Sequence, residues 1–264
     1  SIIRYHHLLN WYSTYKGQQM TLENIALADR KKLTSHFPVL LASETGSGKS
    51  MAFANLSDEE KARTVIFNFD NKSLSEDDSQ FAKIYHSFNA EDIEMVDNIC
   101  KDLITVFAYD KCDRIFVDTF TLMTKLFNRW AAEHFSGFDV WNAYNNSITK
   151  VLETIKTCTL TYGKFAYVSA HYPPRAGHLP GTKRYVTTKG KEHTNIIEES
   201  FSTVVETVME DRQFYFEADV FDSSNTTKTK MVDGFFKIPR KSIDDLEQVL
   251  NKRKHVVDGK LVEV

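Results

Sequence analysis

An α/β fold with a mainly parallel sheet flanked by helices is predicted, and three observations predict it. A short apolar run, Pro38-Val-Leu-Leu-Ala, passes through a glycine-bearing turn into the helix-forming Met51-Ala-Phe-Ala. Four β-rich runs between Pro38 and His171 then alternate with helical stretches, as strands joined by crossover helices do. After residue 200 the pattern changes: Thr203-Val-Val-Glu-Thr-Val-Met and Phe214-Tyr-Phe-Glu-Ala-Asp-Val-Phe flank Asp211-Arg-Gln, as in an antiparallel hairpin.

Each element has its own signal. Residues 1–36 read as a helical arm, with Leu8, Leu9, Tyr12 and Tyr15 on one face and Thr21 capping a second helix; residues 37–264 form the main domain. Arg63-Thr-Val-Ile-Phe-Asn-Phe-Asp reads as a strand, and Phe81 to Phe88 as an edge strand. Asn89 is placed to cap a helix through Ile93, Val96, Cys100, Leu103 and Phe107. Asp113 to Thr119 follows as a buried strand, then helices through Leu122, Leu126 and Trp130, and through Trp141, Ile148, Leu152 and Ile155. Lys164 to His171 is a further strand, and a helix at Ile243–Leu250 and a hairpin at Asp258-Gly259 close the chain.

Composition narrows the function classes. At 264 residues with a formal net charge of −3, the chain has an ample core and no global basic field. The three cysteines, Cys100, Cys112 and Cys158, lack metal-site or disulfide spacing and read as core residues in a reducing compartment. No apolar run reaches the ~20 residues of a membrane span, so no membrane partner and a cytoplasmic location are expected.

The turn after Ala42 carries the strongest chemistry: Ser43, Glu44, Thr45, Gly46, Ser47, Gly48, Lys49, Ser50 and Met51. Gly-Ser-Gly-Lys-Ser between a strand and a helix is a P-loop, whose backbone N–H groups cradle phosphate at a helix N-terminus. Lys49 is placed for the β- and γ-phosphates and Ser50 for Mg²⁺. Ser43 stands where the full pattern has its first glycine, at the strand exit, and a small geometric change is expected there. Asp118 ends an apolar strand, where a P-loop fold uses a carboxylate for the Mg²⁺ shell, the Walker B role. Asp70 and His171 also close strands, where ligands of open α/β sheets bind. From spacing alone Asp70 suits a general base or a solvated turn, and His171 a phosphate contact or a core histidine.

Tyr172 to Lys191 holds Arg175, Lys183, Arg184, Lys189 and Lys191, with Tyr172 and Tyr185 among them and no acidic residue. Glycines and prolines make it a long loop, and basic groups with aromatic faces suit a nucleic-acid backbone and unstacked bases.

The order of these parts resembles a RecA-type ATPase core, and is most similar to the phage nucleotide-binding proteins of that superfamily, the short single-strand-annealing ATPases. The resemblance spans about Pro38 to Pro239 and rests on the P-loop with Val117-Asp118-Thr119. It implies ATP and Mg²⁺ as ligands, Asp70 as the catalytic carboxylate beside Lys49, and His171 as the phosphate sensor where RecA has Gln. It implies single-stranded DNA as partner for the loop after His171, in recombination or annealing, with self-association into a ring or filament. Lys228 and Lys230 fall where RecA places lysines that reach a neighbour's nucleotide. Two other readings share the P-loop: a nucleoside or nucleotide kinase using the basic loop as a lid, and a nucleotide-gated assembly protein with little turnover.

Overall fold

The computed structural model describes residues 38–74, 77–174, 182–188, 197, 200–221, 227–229 and 235–250, and the strand backbone at 254–257 and 260–263. The expected arm at 1–36, with its boundary to the main domain, and Arg175, Lys189, Lys191 and Lys230 lie outside the described residues.

Eight strands form one sheet in the order β3-β2-β4-β5-β1-β6-β7-β8. They are β1 Val39–Ser43, β2 Thr64–Asn68, β3 Lys83–Tyr85, β4 Arg114–Asp118, β5 Phe165–His171, β6 Thr203–Glu210, β7 Gln213–Asp219 and β8 Phe235–Pro239. From β3 to β6 every pairing is parallel, and β7 and β8 add antiparallel partners. The result is an α/β fold with a mainly parallel sheet, as expected, and antiparallel strands toward the C-terminus.

Helices cover both faces because the central strands are apolar on both. On β1, Leu40 and Ala42 enter one core, while Val39 and Leu41 enter the other. The first core is closed by α3 (Met95–Ala108), α4 (Phe120–His134) and α5 (Asp139–Tyr162). The second is closed by α1 (Lys49–Ala54) and α6 (Ile243–Leu250), with Phe53 stacked on Phe116 at a centroid distance of 3.8 Å. A short helix, α2 (Asp58–Lys61), opens with a Ser57–Glu60 capping box. Strands β9 (Lys254–Val257) and β10 (Lys260–Glu263) form the closing hairpin.

One helix boundary differs from the sequence reading. Asn89 does not cap α3: its side chain accepts from the Glu91 N–H, closing a local turn, and α3 starts at Met95 with Ile93 exposed. An Asx turn satisfies a backbone N–H as well as a helix cap does, so it competes for the same residue. The β6–β7 turn, in contrast, is as tight as expected, with positive φ at Asp211 and Arg212.

Candidate functional site

The carboxyl ends of β1, β2, β4 and β5 lie side by side, with Ser43 in register with His171 and Asn68 with Asp118. The loop between β1 and α1 runs along this edge. Gly46 and Gly48 have φ of +81° and +78°, the left-handed region that disfavours a side chain. A Cβ at Gly48 would also lie 2.7 Å from Arg240 Nη2, and Arg240 Nη1 donates to the Gly48 carbonyl oxygen. Backbone conformation therefore favours glycine at both positions, and at Gly48 the Arg240 side chain also fills the space a Cβ would take.

Lys49 turns back along the loop and is only 5% exposed. Its Nζ donates to the carbonyl oxygens of Ser43 and Glu44 at 3.3 and 3.1 Å and to Ser43 Oγ at 3.0 Å. Burial lowers its pKa to about 8, against the pull of Asp118 and Glu206. Ser43 has a larger part than the small adjustment expected of it. Its hydroxyl forms a triangle with those of Ser47 and Thr207, at 2.6 and 2.8 Å, fastening the loop to β1 and β6. A glycine could not make that triangle. Thr45 lies at the exposed crown of the loop with Glu44 half-buried beside it, and Met51 stands exposed on α1.

Asp118 is buried behind the loop. Ser50 Oγ donates to its Oδ2 at 2.7 Å and Ser169 Oγ to its Oδ1 at 2.6 Å. Burial raises its pKa, and the two hydroxyls and Lys49 oppose the rise. The next residue, Thr119, caps α4 through the Leu122 N–H, so Asp118 itself is spared for the site. A hydroxyl and a carboxylate 2.7 Å apart are hard oxygen donors of the kind that would hold Mg²⁺. Among the described residues no group of three or more His, Cys, Asp or Glu gathers as a metal cage.

Asp70 is held beside this pair, its N–H donating to the Asp118 carbonyl oxygen at 3.2 Å. Its carboxylate is partly open and pairs with Lys72 at 3.2 Å. His171 faces the same space. Burial, then the charge of Lys49, lowers its pKa to about 4 against the pull of Asp70, so its ring is neutral at physiological pH.

The model of the AAA domain family matches residues 36–236, most of the chain. This chain belongs to the AAA domain family. Among solved structures, it is similar to a KaiC-like protein of the hyperthermophilic archaeon Pyrococcus horikoshii OT3, at 14% identity and a TM-score of 0.44, covering 86% of this chain and 89% of that one. It is also similar to the RadB recombinase, at 9% identity and a TM-score of 0.46, covering 86% and 90%. No curated protein matches it.

In this AAA domain the basic segment behaves differently from the free loop expected. Lys183 and Tyr185 are exposed, but Arg184 is 2% exposed. Its Nη2 donates to Glu206 Oε1 at 2.7 Å, so it is not available to a nucleic-acid backbone. The reason is local: Val186 is buried, Thr187 N–H donates to the His171 carbonyl oxygen at 2.7 Å, and alternate residues of the docked segment turn inward. Lys228 makes an isolated antiparallel bridge with Val204, which places it beside β6. Reasoning from motifs missed Ser169, Thr207, Glu206 and Arg240. Ser169 had a signal, as a polar residue inside the apolar run Phe165 to Ala170, and Glu206 and Thr207 had a weaker one in interrupting the Val204, Val205 and Val208 run; Arg240 had none.

Proposed function

We propose that this AAA domain binds ATP with Mg²⁺ and hydrolyses it. The Ser50–Asp118 contact behind the glycine turn carries the reading, because it sets a hydroxyl and a buried carboxylate together where a nucleotide's metal would lie. Bound Mg²⁺ would supply charge neutralisation and Lewis acidity at the phosphates. The backbone N–H groups at the start of α1 and the Lys49 ammonium hold the phosphates. Asp70, hinged on the Asp118 backbone, accepts a proton from the attacking water. Neutral His171 offers a ring N–H to the terminal phosphate. A cleft of about 490 Å³ lined by Met51, Asn55, Phe214 and Arg240 adjoins the loop and gives room for base and ribose.

Phosphate release by the purified chain tests this. Lys49→Ala should cost roughly 1.5–3 kcal/mol in ATP binding and more in turnover. Asp70→Asn should keep binding and lower turnover by about 10²-fold or more. Parent-like hydrolysis in both variants would end the reading.

The partner we infer is single-stranded DNA, bound where exposed Lys183 and Tyr185 sit on a segment hydrogen-bonded to His171. A self-associated ring or filament would suit that role. DNA should bind more tightly with a non-hydrolysable ATP analogue than with ADP, by a factor in the ~5–150 range of coupled ligands. Equal affinity in both states, measured by anisotropy, would sink the coupling; no binding at low salt would remove DNA altogether.

A further inference from the structure

Beside Lys49 and Asp118 the site holds a second pair of buried charges, Glu206 and Arg184. Glu206 on β6 is 2% exposed and pairs in register with Ala42, the residue before Ser43. Its charge reaches Lys49, where it favours the ammonium form. A carboxylate so placed, with nothing to offset it, would repel a polyphosphate and hold Lys49 away from it. Arg184 offsets it at 2.7 Å through Nη2, while Nη1 reaches Glu44 Oε1 in the loop at 3.3 Å. The guanidinium also lies over the Tyr172 ring, 4.9 Å from its centroid. The segment that brings Arg184 here is pinned at both faces: Thr187 N–H donates to the His171 carbonyl oxygen, and Thr121 Oγ1 donates to the Thr187 carbonyl oxygen at 3.0 Å.

We propose that Arg184 is a positioning residue of the phosphate site, neutralising Glu206 beside Lys49 and bracing Glu44 so that the docked segment 182–188 sets the loop's affinity for nucleotide. The inference rests on the ATP reading above. It assigns Arg184 to the nucleotide site from within, in place of the nucleic-acid surface.

Charge removal in pairs tests it on the full chain, using equilibrium binding of a fluorescent ATP analogue with Mg²⁺. Arg184→Gln should weaken binding by about tenfold or more, because Glu206 loses the guanidinium that faces it at 2.7 Å. Glu206→Gln should bind at least as tightly as the parent. The double variant should return to within about threefold of the parent, since the offending charge is gone. At saturating ATP, turnover of Arg184→Gln should stay within about threefold, so that KM moves and kcat does not. A purely architectural ion pair predicts the opposite: tenfold loss in Glu206→Gln and no recovery in the double variant, and either result overturns the proposal. If Arg184→Gln does not fold, Glu206→Gln alone still decides, since its two outcomes are opposed. A parent chain that binds no nucleotide would bring down the ATP reading and this inference with it, whereas binding without pairwise rescue brings down the inference alone.

Discussion

Strand β4 begins and ends in a buried charge, and the two are treated differently. At its start Arg114 makes two contacts with Glu247 of α6, at 2.5 and 2.6 Å, and another with Glu60 at 3.1 Å. Tyr167 adds a hydrogen bond to the same Glu247 at 3.1 Å. Burial works against the Arg114 charge, but Glu247 outweighs it and holds the group protonated. At the other end Asp118 is equally sealed, yet its hydrogen-bond partners are two neutral hydroxyls. A charge that serves only the fold is neutralised within the chain. In the proposed Mg²⁺ role Asp118 is instead oriented by two uncharged groups, with Lys49 acting on it only through space.

The largest expected effect breaks the first pair. Glu247→Ala leaves Arg114 buried without its main partner and should cost about 3–5 kcal/mol of stability, read as a lower urea midpoint. Nucleotide affinity per folded molecule should hardly move. Asp118→Asn is the counterpart. It should weaken Mg²⁺-dependent ATP binding by roughly 1.5–3 kcal/mol while the metal-free urea midpoint stays put or rises, because a costly buried carboxylate is removed. If both substitutions lowered the midpoint equally, the contrast between the two ends of β4 would be wrong.

The smallest effect concerns His171. Its pKa in the fold is about 4, below the ordinary 6.5, so the unfolded chain takes up a proton first as pH falls. The stability tied to the neutral ring is intact above pH 6.5 and drains away between 6.5 and 4. His171→Asn should flatten the pH dependence of the urea midpoint across that window. An unchanged slope would mean that the ring is not held neutral by the site.

The local signals in the amino-acid sequence determined a good deal on their own. Alternating β-rich and helical runs, apolar on both strand faces, dictated a covered parallel sheet. The Gly46 and Gly48 spacing dictated a loop with positive φ, and Asp211-Arg212 a tight reversal. These properties depend on residues close along the chain, which is why they can be read from it. What tertiary structure alone decided was the pairing of distant charges. Whether Arg184 faces solvent or Glu206 depends on how a segment docks after β5, and nothing near residue 184 in the sequence records it. The same holds for Arg114 with Glu247, and for the Ser43, Ser47 and Thr207 hydroxyls that close under the loop. A hydroxyl or a guanidinium carries no sign of its partner until the fold brings the partner within 3 Å or so, where desolvation makes pairing compulsory.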